Sequence, residues 1–204
     1  MRAAFLAAVL AVLQGCALTV SDPRALKPIN SFVPLAGDPR VWVEPGHEAF
    51  GARVAAALPA AIARVEAGHY LPFARPPRIH VCGTDACFRR YVLTPKLSAA
   101  VVPDNRLILS PALDGRESHR LPTLLTHELA HLHLGQRIGH YHTTLPVWFH
   151  EGWASLVADG GGADYATDAS VYAAIRAGQR VNLGARDTPD RRHRASASNL
   201  DIFS

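Results

Sequence analysis

The sequence predicts an α+β domain. Three observations predict it: an alanine-rich helical stretch near the start, two short β-like segments in the middle, and three helical segments after them. The first stretch, HEAFGARVAAALPAAIARVEAG, runs to about Gly68, with Pro59 expected to kink or break it. RIHVC (78–82) alternates and stops at Gly83, as a strand would. SAAVVPDNRLILS (98–110) places two apolar runs around Pro103-Asp104-Asn105, the pattern of a β-hairpin. Residues 121–135 read as one helix with Gly135 as its stop, and GQRIGHYHTTL as a loop. Pro146 opens a second helix, PVWFHEGWASLVAD, at a position where proline is tolerated. DGGGADYAT breaks it, and 168–177 forms a short third helix.

A chain of 204 residues is long enough for one domain with a real core. It is 49% hydrophobic and 19% charged, which is ordinary for a globular protein. The net charge of +4 is too small to argue for nucleic acid, and the RRHR cluster (191–194) reads as a solvated loop.

The N-terminus, MRAAFLAAVLAVLQGC, has one arginine and then eleven apolar residues. As a helix these reach about 16 Å, roughly half a bilayer core, so they read as a signal-peptide core and not a membrane span. Leu13-Gln14-Gly15-Cys16 resembles a bacterial lipobox. That resemblance implies a lipoprotein signal peptide over 1–15 and lipidation of Cys16. It also implies a protein held to the membrane by its N-terminal lipid, in the cell envelope and facing the periplasm. Ala17 lacks the aspartate associated with inner-membrane retention, which favours the outer membrane. The alternative is an ordinary secretory signal with an incidental Cys16. Residues 16–45, with five prolines after position 22, read as a tether, and 46–204 as the folded domain. Cys82 and Cys87, five apart in an oxidising compartment, read as a disulfide pair, two free thiols being the alternative.

His127-Glu128-Leu129-Ala130-His131 carries the chemistry. At 100° per residue the two histidines sit one turn apart on one helical face, so both imidazoles can reach one ion. Glu128 lies about 100° round from His127, within reach of a water on that ion. His133 is turned some 200° from His131 and reads as a surface or packing residue. A two-histidine zinc site needs a third protein ligand, and WFHEGWA supplies Glu151 amid apolar neighbours, where an unpartnered carboxylate is costly. Gly152 beside it is expected to let the two helices approach closely.

HELAH, nineteen residues, then the glutamate of PVWFHEGWA resembles the gluzincin metallopeptidases, especially small bacterial peptidase-MA-like proteins with HExxH…PxWxxEGxA. The resemblance covers about residues 98–160. It implies a zincin-like minimal catalytic domain: a small sheet with an edge hairpin, then an active-site helix, then a glutamate-bearing helix. It also implies one zinc per chain on His127, His131 and Glu151, with Glu128 as the catalytic base of peptide hydrolysis. Its substrates would be peptides or proteins of the envelope. The strand at 106–110 is where this group places a sheet edge on which an extended substrate can add as a strand.

With 53 residues after Glu151, the helical C-terminal domain of the larger enzymes is missing, and their oxyanion donor with it. Tyr172 leads the replacements, ahead of Tyr165, His150 and His142. Asp159 is a candidate partner for a ligand histidine. Two other functions stay open. One is a non-catalytic zinc-binding lipoprotein acting in binding or assembly. The other, a peptidoglycan hydrolase, ordinarily uses different metal motifs.

Overall fold

The computed structural model describes residues 28–92, 97–102, 106–139, 144–159 and 168–178. The segment read as a signal peptide, Cys16 and the RRHR cluster lie outside the described residues. Strands β1 (Val33–Leu35) and β2 (Asp38–Val43) lead into helix α1 (Glu48–His69) and strand β3 (Arg78–Val81). Helix α2 (Asp85–Tyr91) and the hairpin β4 (Ala99–Val102) and β5 (Arg106–Leu109) follow. Helices α3 (Leu121–Ile138), α4 (Val147–Ala158) and α5 (Asp168–Arg176) complete the order. The fold is mixed α+β, around a five-stranded sheet ordered β1-β2-β3-β5-β4.

β2, β3 and β5 run parallel, while β1 and β4 flank them antiparallel. Alternation sorts the sheet's side chains to two faces. Val41, Val43, Ile79, Val81, Leu107 and Leu109 join the main core with α1, α3 and α4. Trp42, His80, Ile108 and Ala100 turn to the other face, which Phe32, Phe88, Tyr91 and Val92 cover.

The structure revises several expectations. The tether reading of 16–45 fails at Val33–Leu35 and Asp38–Val43, which are strands. Pro34 is tolerated because β1 is an edge strand, and Pro39 because it precedes the stretch Val41–Val43 that pairs with β3. α1 continues through Pro59, which faces solvent, where water can take the carbonyl that proline releases. α3 passes Gly135 and ends at Gly139, whose φ of 60° is the turn that demands glycine. The strand 106–110 is interior, paired by β3 and β4; the sheet edge on that side is β4.

Helix α2 was not foreseen. Thr84 caps it by accepting from the Cys87 N–H, and the disulfide Cys82–Cys87 ties its first turn to the end of β3. Among the described residues no helix is long and apolar enough to cross a membrane.

Candidate metal centre

Helix α3 carries His127 and His131, and its rotation is fixed by Leu125, Leu129 and Leu132, all fully buried. Helix α4 carries Glu151 and is anchored by Ala154, Val157 and Ala158. At its C-terminal end the Arg64 Nε of α1 donates to the Val157 carbonyl at 2.6 Å. The Arg64 guanidinium also pairs with Asp159 at 3.1 Å. The glycine that permits close helix contact is Gly68 on α1. A Cβ there would meet Val157 at 2.8 Å, whereas one on Gly152 would meet nothing within 4 Å. Gly152 is exposed and brings no helices together.

These anchors bring three ligand atoms into a triangle. His127 Nε2 lies 3.1 Å from His131 Nε2 and 3.3 Å from Glu151 Oε2, and His131 Nε2 lies 3.5 Å from the same oxygen. His127, His131 and Glu151 thus form a possible metal-binding triad. An ion with tetrahedral bonds of about 2.05 Å spaces its ligand atoms about 3.3 Å apart, so the triangle has the size such an ion needs. His127 is 6% exposed. Its Nδ1 is buried without a hydrogen-bond partner among the described residues, so the expected supporting acceptor is not found there.

The electrostatics follow from this crowding. Burial acts to raise the Glu151 pKa, but hydrogen bonds from His127 and His131 outweigh it and hold the carboxyl far below its usual range. For His131, burial works against the charged form, and the Glu151 hydrogen bond and the charges of Glu151 and Glu128 overcome it, raising its pKa. Glu128 is raised chiefly by burial; the charges of His131 and His127 oppose this, that of Glu151 adds to it, and the Val101 backbone hydrogen bond opposes it. That last contact places the carboxyl beside the edge strand β4.

The remaining candidates fall elsewhere. Tyr172 on α5 is 63% exposed and makes no hydrogen bond, ion pair or ring contact among the described residues. Tyr165 and His142 lie outside the described residues. His150 stands beside the triad, its Nδ1 3.4 Å from Glu151 Oε1 and its ring 5.4 Å from that of His131. Asp159 pairs with Arg64, not with a ligand histidine, because it ends α4 in a left-handed conformation with its side chain 79% exposed.

His133 turns away from the triad, as its spacing predicts, and is 1% exposed. Its Nε2 lies 3.0 Å from the Leu71 carbonyl and 3.2 Å from that of Pro72. A carbonyl only accepts, so Nε2 carries the proton and Nδ1 accepts from His69 Nδ1–H at 2.8 Å. His69 also meets the ring of Trp153, so this pair links α1, α3 and α4 behind the triad. Nothing in the local sequence around His69 signalled that contact. No protein-family model, curated protein or solved structure matches the chain.

Proposed function

We propose that the chain is a gluzincin-type zinc metallopeptidase with a zincin-like fold, holding one zinc on His127, His131 and Glu151. The observation that carries the reading is the ligand triangle, with sides of 3.1, 3.3 and 3.5 Å. Two imidazoles and a carboxylate form a donor set suited to zinc, and three protein ligands leave one position for water. Bound there, zinc would supply Lewis-acid chemistry, acidifying water and polarising a scissile carbonyl.

The chain's own residues supply the rest. Glu128 lies on the same helix as both histidines, and burial raises its pKa, which suits a group that takes a proton and returns it. β4 is one of the two edge strands of the sheet, and the Val101 backbone on it hydrogen-bonds Glu128. An extended peptide adding to β4 as a further strand would therefore pass beside the base. Lipid anchorage through Cys16, a periplasmic setting at the outer membrane and envelope peptides or proteins as substrates belong to the same proposal. They rest on the N-terminal sequence.

The second reading, a zinc-binding lipoprotein without catalysis, draws on Tyr172, which is 63% exposed and makes no hydrogen bond, ion pair or ring contact among the described residues. One experiment separates the two: zinc per chain and cleavage of a broad peptide library, measured on the parent, His131→Ala and Glu128→Gln. The peptidase reading expects about one zinc and cleavage in the parent, little zinc in His131→Ala, and zinc without cleavage in Glu128→Gln. Zinc without turnover in the parent supports the binding protein instead. A folded parent that takes up no zinc defeats both.

A further inference from the structure

We propose that His150 is a positioning residue for Glu151: its Nδ1, at ion-pair distance from Oε1, engages that oxygen, so that Oε2 alone is presented to the metal. The inference rests on the metal reading above and assigns a role to a residue outside the ligand set.

Glu151 has two oxygens with different surroundings. Oε2 faces the imidazoles, 3.3 Å from His127 Nε2 and 3.5 Å from His131 Nε2. Oε1 faces His150 Nδ1 at 3.4 Å. His150 contributes no atom to the compact ligand group, which among the described residues comprises His127, His131 and Glu151. It therefore sits behind the carboxylate and not in the triangle.

Consecutive residues on a helix point about 100° apart and do not ordinarily face each other. His150 and Glu151 approach because both lean toward His131, against which the His150 ring packs edge-on at 5.4 Å and 74°. The His150 side chain is 24% exposed, so its ring is largely enclosed.

A carboxylate without such a partner can rotate and offer either oxygen, or both. A donor on the outer oxygen stops that rotation and fixes one-oxygen coordination, which keeps the coordination number low. Partners of this kind ordinarily change metal affinity by about 10- to 100-fold.

The test uses the full chain, stripped of metal and titrated with Zn2+ against a chromophoric chelator. Three forms are compared: the parent, His150→Phe and His150→Asn. Phenylalanine keeps the ring against His131 and removes the donor, whereas asparagine keeps a donor near the Nδ1 position. We expect His150→Phe to bind Zn2+ about 10- to 100-fold more weakly and His150→Asn to recover most of the loss. Co2+ loading adds a spectroscopic readout: the visible bands of His150→Phe should weaken as a second carboxylate oxygen joins the metal, and those of His150→Asn should match the parent. Equal affinity in the parent and His150→Phe overturns the inference and leaves the triad standing. Equal losses in Phe and Asn variants also overturn it, since the role would then be steric. A parent that takes up no Zn2+ defeats the triad reading itself.

Discussion

Gly68 and Val157 meet where α1 crosses α4, and a single added carbon on the glycine would stand 2.8 Å from one methyl of the valine and 3.2 Å from the other. Neither methyl can retreat far, because Val157 is 7% exposed and its carbonyl is held by Arg64. In an open helix, Gly68→Ala would gain about 1 kcal/mol. Here overpacking, typically about 1–3 kcal/mol, should win. We expect a net loss of about 1 kcal/mol in thermal unfolding, relieved by adding Val157→Ala. A more stable Gly68→Ala would show that the contact is slack.

Removal of the triad's third member should act on metal more than on fold. Glu151→Gln keeps the shape and loses the charge, and its side chain is 46% exposed, so the apo protein should stay folded. Zinc retention through dialysis should fall sharply while circular dichroism stays unchanged. Retention equal to the parent would remove Glu151 from the ligand set.

His80 gives the fold a defined response to acid. It is fully buried on β3, and neither ring nitrogen has a partner of hydrogen-bond geometry among the described residues. Burial, with Arg106 adding to it, lowers its pKa to about 4, and a backbone contact with Leu107 offsets only part. Well above pH 6.5 the imidazole is neutral in both states and contributes no pH dependence. As pH falls from 6.5 towards 4, the unfolded chain takes up a proton that the folded chain refuses. Stability therefore drops across that window, by about 3 kcal/mol in total from this residue. Chemical denaturation of the parent and His80→Phe at pH 7 and pH 4.5 measures it: the variant should lose less stability between the two. Equal losses would place the acid response elsewhere.

The disulfide Cys82–Cys87 closes a short loop, so its constraint on the unfolded chain is worth about 2 kcal/mol. Cys87→Ser should lower stability by about that amount and make the denaturation midpoint insensitive to reductant. A parent whose midpoint ignores reductant would contradict the bridge.

Much of this architecture was legible in residue order, and the reason differs by element. The triad's histidines are fixed by helical spacing alone, since positions 127 and 131 share a face in any helix. Glu151 was legible as a carboxylate among apolar neighbours. β1 and β2 were hidden because Pro34 and Pro39 masked a short alternation, and only the pairing of Val41–Val43 with β3 shows those prolines to be harmless. Gly152 was expected to let α3 and α4 approach and meets no neighbour, while the close contact at Gly68 was not foreseen, because which glycine faces a neighbour depends on how the helices cross. The same limit hid the His69–His133 pair, whose members are 64 residues apart.

The triad draws two members from α3 and one from α4, and α4 is held to α1 by Arg64. Glu151 is thus a tethered donor, and its effective concentration at the histidines is set by how fully α4 is docked. Linkage would make the relation mutual: a bound ion would strengthen the docking of α4, and loosening at Arg64, whose partners are the Val157 carbonyl and Asp159, would weaken the hold on that ion. A residue remote from the centre in sequence would in this way act as a dial on its affinity.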